Sequence, residues 1–162
     1  MRTSTRLVQT PSQTVGPFFS IGLCRECQNE LSAGAGGAER IRVKGVVFDG
    51  AGAPVPDAML EVWHPSIGFG RAGTGEAGEF HFDMDRPPYV NVIVFARGML
   101  VHAFTRLYFS DDLGNARDAV LQSVDPARRG TLIAQRSDRP GSPVYEWTIR
   151  LQGDHETVFF DL

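Results

Sequence analysis

The side chains that could do chemistry in this chain are few. Cys24 and Cys27 stand in C-x-x-C spacing, which serves either a redox pair or half of a structural zinc site. A zinc site needs about four ligands, and no second Cys or His pair lies near, so both read as small, reduced side chains in a loop. The histidines are His64, His81, His102 and His155. His81 lies between Phe80 and Phe82 and alternates outward from that apolar pair, while His64 and His102 flank strand ends or turns, where structural histidines are common. Arg97, in Phe95-Ala96-Arg97-Gly98, offers a charge suited to a carboxylate or a developing enolate, or to an ordinary ion pair. In the segment from Thr10 to Phe18, Thr14 is a hydroxyl donor or a local cap. Gly16 and Pro17 form a turn, and the glycine lets backbone come close to a flat ligand.

The elements that must position these residues are mostly strands. Short runs of β-branched and aromatic residues, broken by Gly, Pro and Asp, predict strands over Ile41 to Asp49, Ala58 to His64, Glu79 to Asp83, Tyr89 to Arg97, Val101 to Phe109, Val144 to Gln152 and Thr157 to Asp161. In the sixth of these, Tyr145, Trp147, Ile149 and Leu151 share a face that should be core, with Glu146, Thr148 and Arg150 opposite. Asp49-Gly50 and Gly52 make a tight turn, which Pro54 and Pro56 stiffen on its return. Residues 115 to 136 lack alternation and predict one or two short helices, within Ala116 to Leu121 and Pro126 to Ala134, with Asp125 as a cap. The fold class is all-β, a β-sandwich with an extended N-terminal arm. One domain is expected over 1–162: an arm at 1–27 whose prolines and glycines disfavour a regular helix, a flexible glycine-rich link at 28–40, and a body at 41–162.

The chain has 162 residues, 42% of them hydrophobic and 22% charged, enough for one sizeable core and too few for two. A net charge of -3 provides no broad positive field for nucleic acid or an anionic membrane. The absence of a long apolar run and of a signal-like start leads to the expectation of a soluble cytoplasmic protein.

Several blocks appear in a telling order: the arm Thr10-Pro11-Ser12-Gln13-Thr14-Val15-Gly16-Pro17-Phe18, the turn Gly45 to Ala58 leading into Glu61-Val62-Trp63, Val94 to Gly98, Thr105 to Phe109, and the ending Glu156 to Leu162. Together they resemble the protocatechuate 3,4-dioxygenase family of intradiol ring-cleaving dioxygenases, and within it the alpha-type subunits. The resemblance runs from the arm to the last residue, with gaps in the link and between Trp63 and Tyr89. It implies chemistry at a non-haem iron(III) held by two tyrosines and two histidines, the latter as H-x-H on one strand. Here Tyr89-Val90-Asn91 stands in that place, no two histidines are two apart, and no tyrosine lies between Trp63 and Tyr89.

The resemblance therefore implies a subunit that binds no cofactor itself and pairs with a homologous iron-binding beta subunit, whose Fe(III) serves both. It further implies that Thr14, Gly16, Pro17, Phe18 and Arg97 line the substrate pocket of that partner. Phe18 stands where a tyrosine would be expected. The substrates would be a catechol acid and O2. The alternative is a stand-alone β-sandwich binding or interaction module without catalysis, for carbohydrate or another protein.

Overall fold

The computed structural model describes residues 9–14, 16, 18–26, 28–32, 38–137 and 143–161, without the side chain of Ser20. Among the described residues, nine strands run in chain order: β1 (Glu30–Leu31), β2 (Arg40–Phe48), β3 (Met59–His64), β4 (Gly68–Gly73), β5 (Glu79–Asp85), β6 (Tyr89–Phe95), β7 (Ala103–Phe109), β8 (Ile133–Ser137) and β9 (Val144–Arg150). Their order in the sheet is β1-β5-β2-β9-β8-β7-β6-β3-β4. The sheet folds over at β8, which runs parallel to β7 and antiparallel to β9. The all-β sandwich expected from the strand pattern is what the chain forms.

Alternation explains the core. In β6, Val90, Val92 and Val94 are buried, while Tyr89, Asn91, Ile93 and Phe95 face outward and are half-buried. Tyr145, Trp147 and Ile149 of β9 point inward, as the sequence reading expects. They meet Val62, Val92, Leu107 and Phe109 from the other layer in one apolar cluster. Trp147 is a large apolar body with one polar edge, and its Nε1 finds the carbonyl of Thr131 at 2.9 Å.

The Asp49 turn forms as read: Asp49 Oδ1 accepts from the amides of Ala51 and Ala53 at 2.9 and 2.8 Å. Its role is larger than a hairpin's. β2 pairs with β5 and β9, whereas β3 pairs with β4 and β6, so the segment through Pro54 and Pro56 carries the chain from one layer to the other.

Several elements differ from expectation. Residues 19–23 form a short helix, α1 (Phe19–Leu23), inside the arm, because the arm's prolines all precede it. The expected link at 28–40 is partly built in: Leu31 of β1 is 2% exposed, β1 pairs parallel to β5, and the amide of Arg71 donates to the carbonyl of Gln28 at 2.8 Å. A Cβ at Gly70 would stand 2.6 Å from Leu31 Cδ1, so glycine there lets this strap lie on β4 and nearly close the sheet. Asp118 splits the first expected helix into a 3-10 turn at Leu113–Arg117 and α2 (Ala119–Ser123). The second expected helix is a turn at 126–128, capped by Asp125, then a 3-10 turn at Arg129–Leu132, after which the chain enters β8. Residues 157–161 are not a ladder strand. They are held singly, by Thr157 N to the Arg150 carbonyl at 3.0 Å, Thr105 Oγ1 to the Val158 carbonyl at 2.7 Å and Phe160 N to the Phe104 carbonyl at 2.8 Å.

Candidate functional site

Two places on the molecule gather the residues singled out from the sequence. The first is the turn after β6. The strand ends at Phe95, two residues earlier than expected, and the chain bends through Ala96, Arg97 and Gly98. Gly98 has φ +83°, a left-handed conformation that side chains other than glycine strain to adopt. That bend turns its amide outward, where it donates to Thr14 Oγ1 at 2.8 Å. The structure thus brings Thr14 of the arm onto the Arg97 turn. Thr14 Oγ1 thus accepts from a distant amide, a contact that neither the donor nor the local-cap reading describes. Gly16 follows with φ +71°, and Phe18 is 76% exposed. Pro17 and Cys27 lie outside the described residues.

Arg97 sends its side chain outward, 62% exposed, with Nε 3.1 Å from Asp57 Oδ2. Both Asp57 oxygens are buried and accept no hydrogen bond; the separation is within ion-pair range, but the N–H is not aligned with the acceptor. Sequence reading passed over Asp57. The signal was present, since it is an acidic residue between Pro56 and the buried start of β3.

The second place is the outer face of β3, β4, β6 and β7, at the other end of β6. Tyr89 and Asn91 face outward there, as the alternation requires. Arg106 crosses from β7 over both: its Nε donates to Asn91 Oδ1 at 3.1 Å, and its guanidinium carbon lies 4.2 Å from the Tyr89 ring centre. The His64 ring meets the Tyr89 ring edge-on at 4.9 Å, and its Nδ1 is 2.8 Å from Ser66 Oγ. Burial, and then the charge of Arg106, hold His64 below its ordinary pKa, so it stays neutral and structural. Beside them a cavity of about 330 Å³ opens between Trp63, Phe69, Ile93 and Phe104.

This donor set does not suit a ferric ion. Where the resemblance expects two imidazoles, the chain has an amide and a tyrosine ring covered by a guanidinium, and that guanidinium repels a second cation. Among the described residues, no three of His, Cys, Asp and Glu gather where they could hold a metal.

The other candidates have structural roles. His81 is exposed, with Nε2 2.9 Å from Asn29 Nδ2. His102 packs against Phe95 at 5.5 Å. Cys24 is half-buried, and burial pushes its thiol up, away from a reactive thiolate. Among the described residues, no helix is long and apolar enough to cross a membrane.

No protein-family model matches the chain. It is 40% identical to the protocatechuate 3,4-dioxygenase alpha chain of Burkholderia cepacia over 196 positions, covering 98% of this chain and 100% of that one. It is 37% identical to the corresponding alpha chain of Pseudomonas putida, covering 96% of this chain and 97% of that one. The dioxygenase domain of a dioxygenase carbohydrate-binding fusion from Streptomyces sp. SirexAA-E shares the fold with a TM-score of 0.59 at 21% identity, over 89% of this chain and 98% of that one. Identity of this order along the whole length of two relatives carries more than fold, and the chain belongs to the protocatechuate 3,4-dioxygenase alpha-chain family.

Proposed function

We propose that the chain is the iron-free alpha-type subunit of a cytoplasmic, O2-dependent intradiol dioxygenase, and that it completes the substrate pocket of a homologous, iron(III)-bearing beta chain. The partner's iron would activate the catechol ring toward O2, and cleavage between the two hydroxyl-bearing carbons would take up both oxygen atoms as two new carboxyl groups, giving with the original one a carboxymuconate-type triacid. This chain's part is to bind and orient. The terminal N–H groups of Arg97 would meet the substrate carboxylate as charge-assisted donors. Gly16, Pro17 and Phe18 would form a wall that excludes water, with Thr14 fixing that wall to the Arg97 turn.

The observation that carries this reading is the bond between Thr14 and Gly98 across 84 residues, which sets the arm beside an exposed guanidinium. The designation of the relatives as alpha chains supports a beta-type partner. Exposed Phe18, Ile21, Trp63, Phe69 and Val101 supply apolar surface of the kind a permanent interface buries.

The test is production of the chain alone and with an iron-ligating beta chain. Iron content, charge-transfer colour and ring cleavage of protocatechuate are expected only for the pair. Arg97→Ala is expected to raise KM for the acid roughly tenfold or more, the worth of a hydrogen bond to a charged group. Stoichiometric iron with activity in the lone chain would sink the reading. A stable monomer that ignores every beta chain would favour the stand-alone binding module.

A further inference from the structure

Asp57 is an odd residue to bury. Its side chain is 15% exposed, and neither oxygen accepts a hydrogen bond. A carboxylate withdrawn from water without donors is costly, so its place in the fold calls for a reason. Its charge partner among the described residues is Arg97.

The backbone holds Asp57 firmly. Pro54 and Pro56 fix two φ angles of the approach. Thr74 then clamps the chain on both sides: its Oγ1 accepts from the amide of Ala58 at 3.0 Å and donates to the carbonyl of Val55 at 2.7 Å, and its own amide donates to the carbonyl of Ala58 at 2.9 Å. In the antiparallel register Met59 faces Phe95. Continued past the end of the ladder, that register sets Asp57 opposite Arg97.

The pair is asymmetric. An ordinary surface ion pair leaves both charges in water and contributes little. Here the anion is buried on rigid backbone while the cation is 62% exposed. The approach is made at Nε, next to the stem, and the four N–H groups of the two terminal nitrogens are additional to it. The amide of the next residue, Gly98, holds Thr14. Asp57, Arg97, Gly98 and Thr14 thus form one connected set joining the fixed layer to the arm.

We infer that Asp57 is a positioning residue: it holds the Arg97 guanidinium by its stem side so that the terminal N–H groups present themselves to the carboxylate of an anionic catechol. This rests on the role proposed for Arg97 above.

The experiment uses the complex with the iron-bearing partner, measuring kcat and KM for protocatechuate and for catechol itself, which lacks the carboxylate. Asp57→Asn is expected to raise KM for the acid about threefold to fivefold, the scale of a well-placed ion pair. KM for catechol and kcat for both are expected to stay unchanged. Arg97→Lys keeps the charge but lacks Nε, and is expected to lose selectivity as Asp57→Asn does, which keeps the test decisive if Asp57→Asn fails to assemble. Asp57→Asn in an Arg97→Ala background is expected to add nothing. Wild-type selectivity in Asp57→Asn or Arg97→Lys, or an equal KM rise for both substrates, would overturn the inference while leaving Arg97's role standing. Wild-type selectivity in Arg97→Ala would instead overturn that role, and the inference with it.

Discussion

Thr14 and Gly98 meet through one exposed hydrogen bond of 2.8 Å, worth about 1 kcal/mol. A bond of that size cannot stabilise the body measurably, but it can decide where an arm rests. Thr14→Val removes the acceptor, and the expected outcome is faster hydrogen exchange at the Gly98 amide and faster proteolysis within residues 9–16, with the melting temperature unchanged. Unaltered arm protection would show that the arm is held by other contacts. Arg42 and Asp83 are a second residue-scale case. They face each other across β2 and β5 with two hydrogen bonds, Nε to Oδ1 at 2.7 Å and Nη2 to Oδ2 at 2.6 Å. The Arg42 hydrogen bond, more than its charge, holds the Asp83 carboxyl below its ordinary pKa. A carboxylate depressed in the folded state contributes stability above its unfolded pKa of about 4, and that contribution is lost as pH falls through the depressed value. Arg42→Gln is therefore expected to cost about 0.5 kcal/mol at neutral pH, and nothing once pH has fallen through the depressed Asp83 value. Denaturant titrations across that range check it, and a difference that persists in acid would contradict it.

At the scale of elements, Asp118 shows how a short helix is tied to a sheet. Its Oδ1 accepts from the amide of Leu121, capping α2, and from the Tyr108 hydroxyl at 2.7 Å. Burial alone would raise the Asp118 pKa, but these donors outweigh it and the carboxyl is held low. Burial, then the bond to Asp118, pushes the Tyr108 hydroxyl up, so it stays protonated as a donor. Asp118→Ala removes the cap and strands the Tyr108 hydroxyl, with an expected loss of about 2 to 3 kcal/mol in chemical denaturation. A loss under 1 kcal/mol would show that water replaces the carboxylate. Strands with period-two alternation, β5, β6 and β9, were legible because burial and sequence period agree there. β4 was not: Gly68-Phe69-Gly70-Arg71-Ala72-Gly73 has three glycines and no β-branched residue, so it reads as a loop. It becomes a strand because β3 offers a complete antiparallel partner from Met59 to His64. β8 is missed because its few residues carry no alternation, with Ile133 and Ala134 falling in an expected helix, and its place is set by β7 and β9 on either side.

At the scale of the whole molecule, the strap at 28–31 decides whether the sheet has a bare seam. Leu31 fills the space above Gly70 and pins β1 between β4 and β5. Leu31→Ala is expected to cost about 2 to 4 kcal/mol, because the cavity forms where the layers close. It is also expected to promote self-association through the freed strand edge. Calorimetry and light scattering measure both, and an unchanged melting temperature would mean that the seam is closed by other residues. The apolar side chains left in water, Trp63 and Phe69 on the sheet face and Phe18 and Ile21 on the arm, are what the proposed beta chain would cover.

The sequence alone determined the all-β class, six of the nine strands and the family, because alternation, turn residues and ordered motif blocks are local properties that survive without coordinates. By the family resemblance, Tyr89 and Asn91 stand where an imidazole pair is expected. Only the tertiary structure decided that Arg106 lies across those two residues, that the start of the supposed link, at 28–31, is built into the sheet, and that Thr14 of the arm rests on the Arg97 turn. It alone found Asp57, because a buried carboxylate opposite an arginine 40 residues away is a fact of strand register, and register is settled by how two layers close over one core.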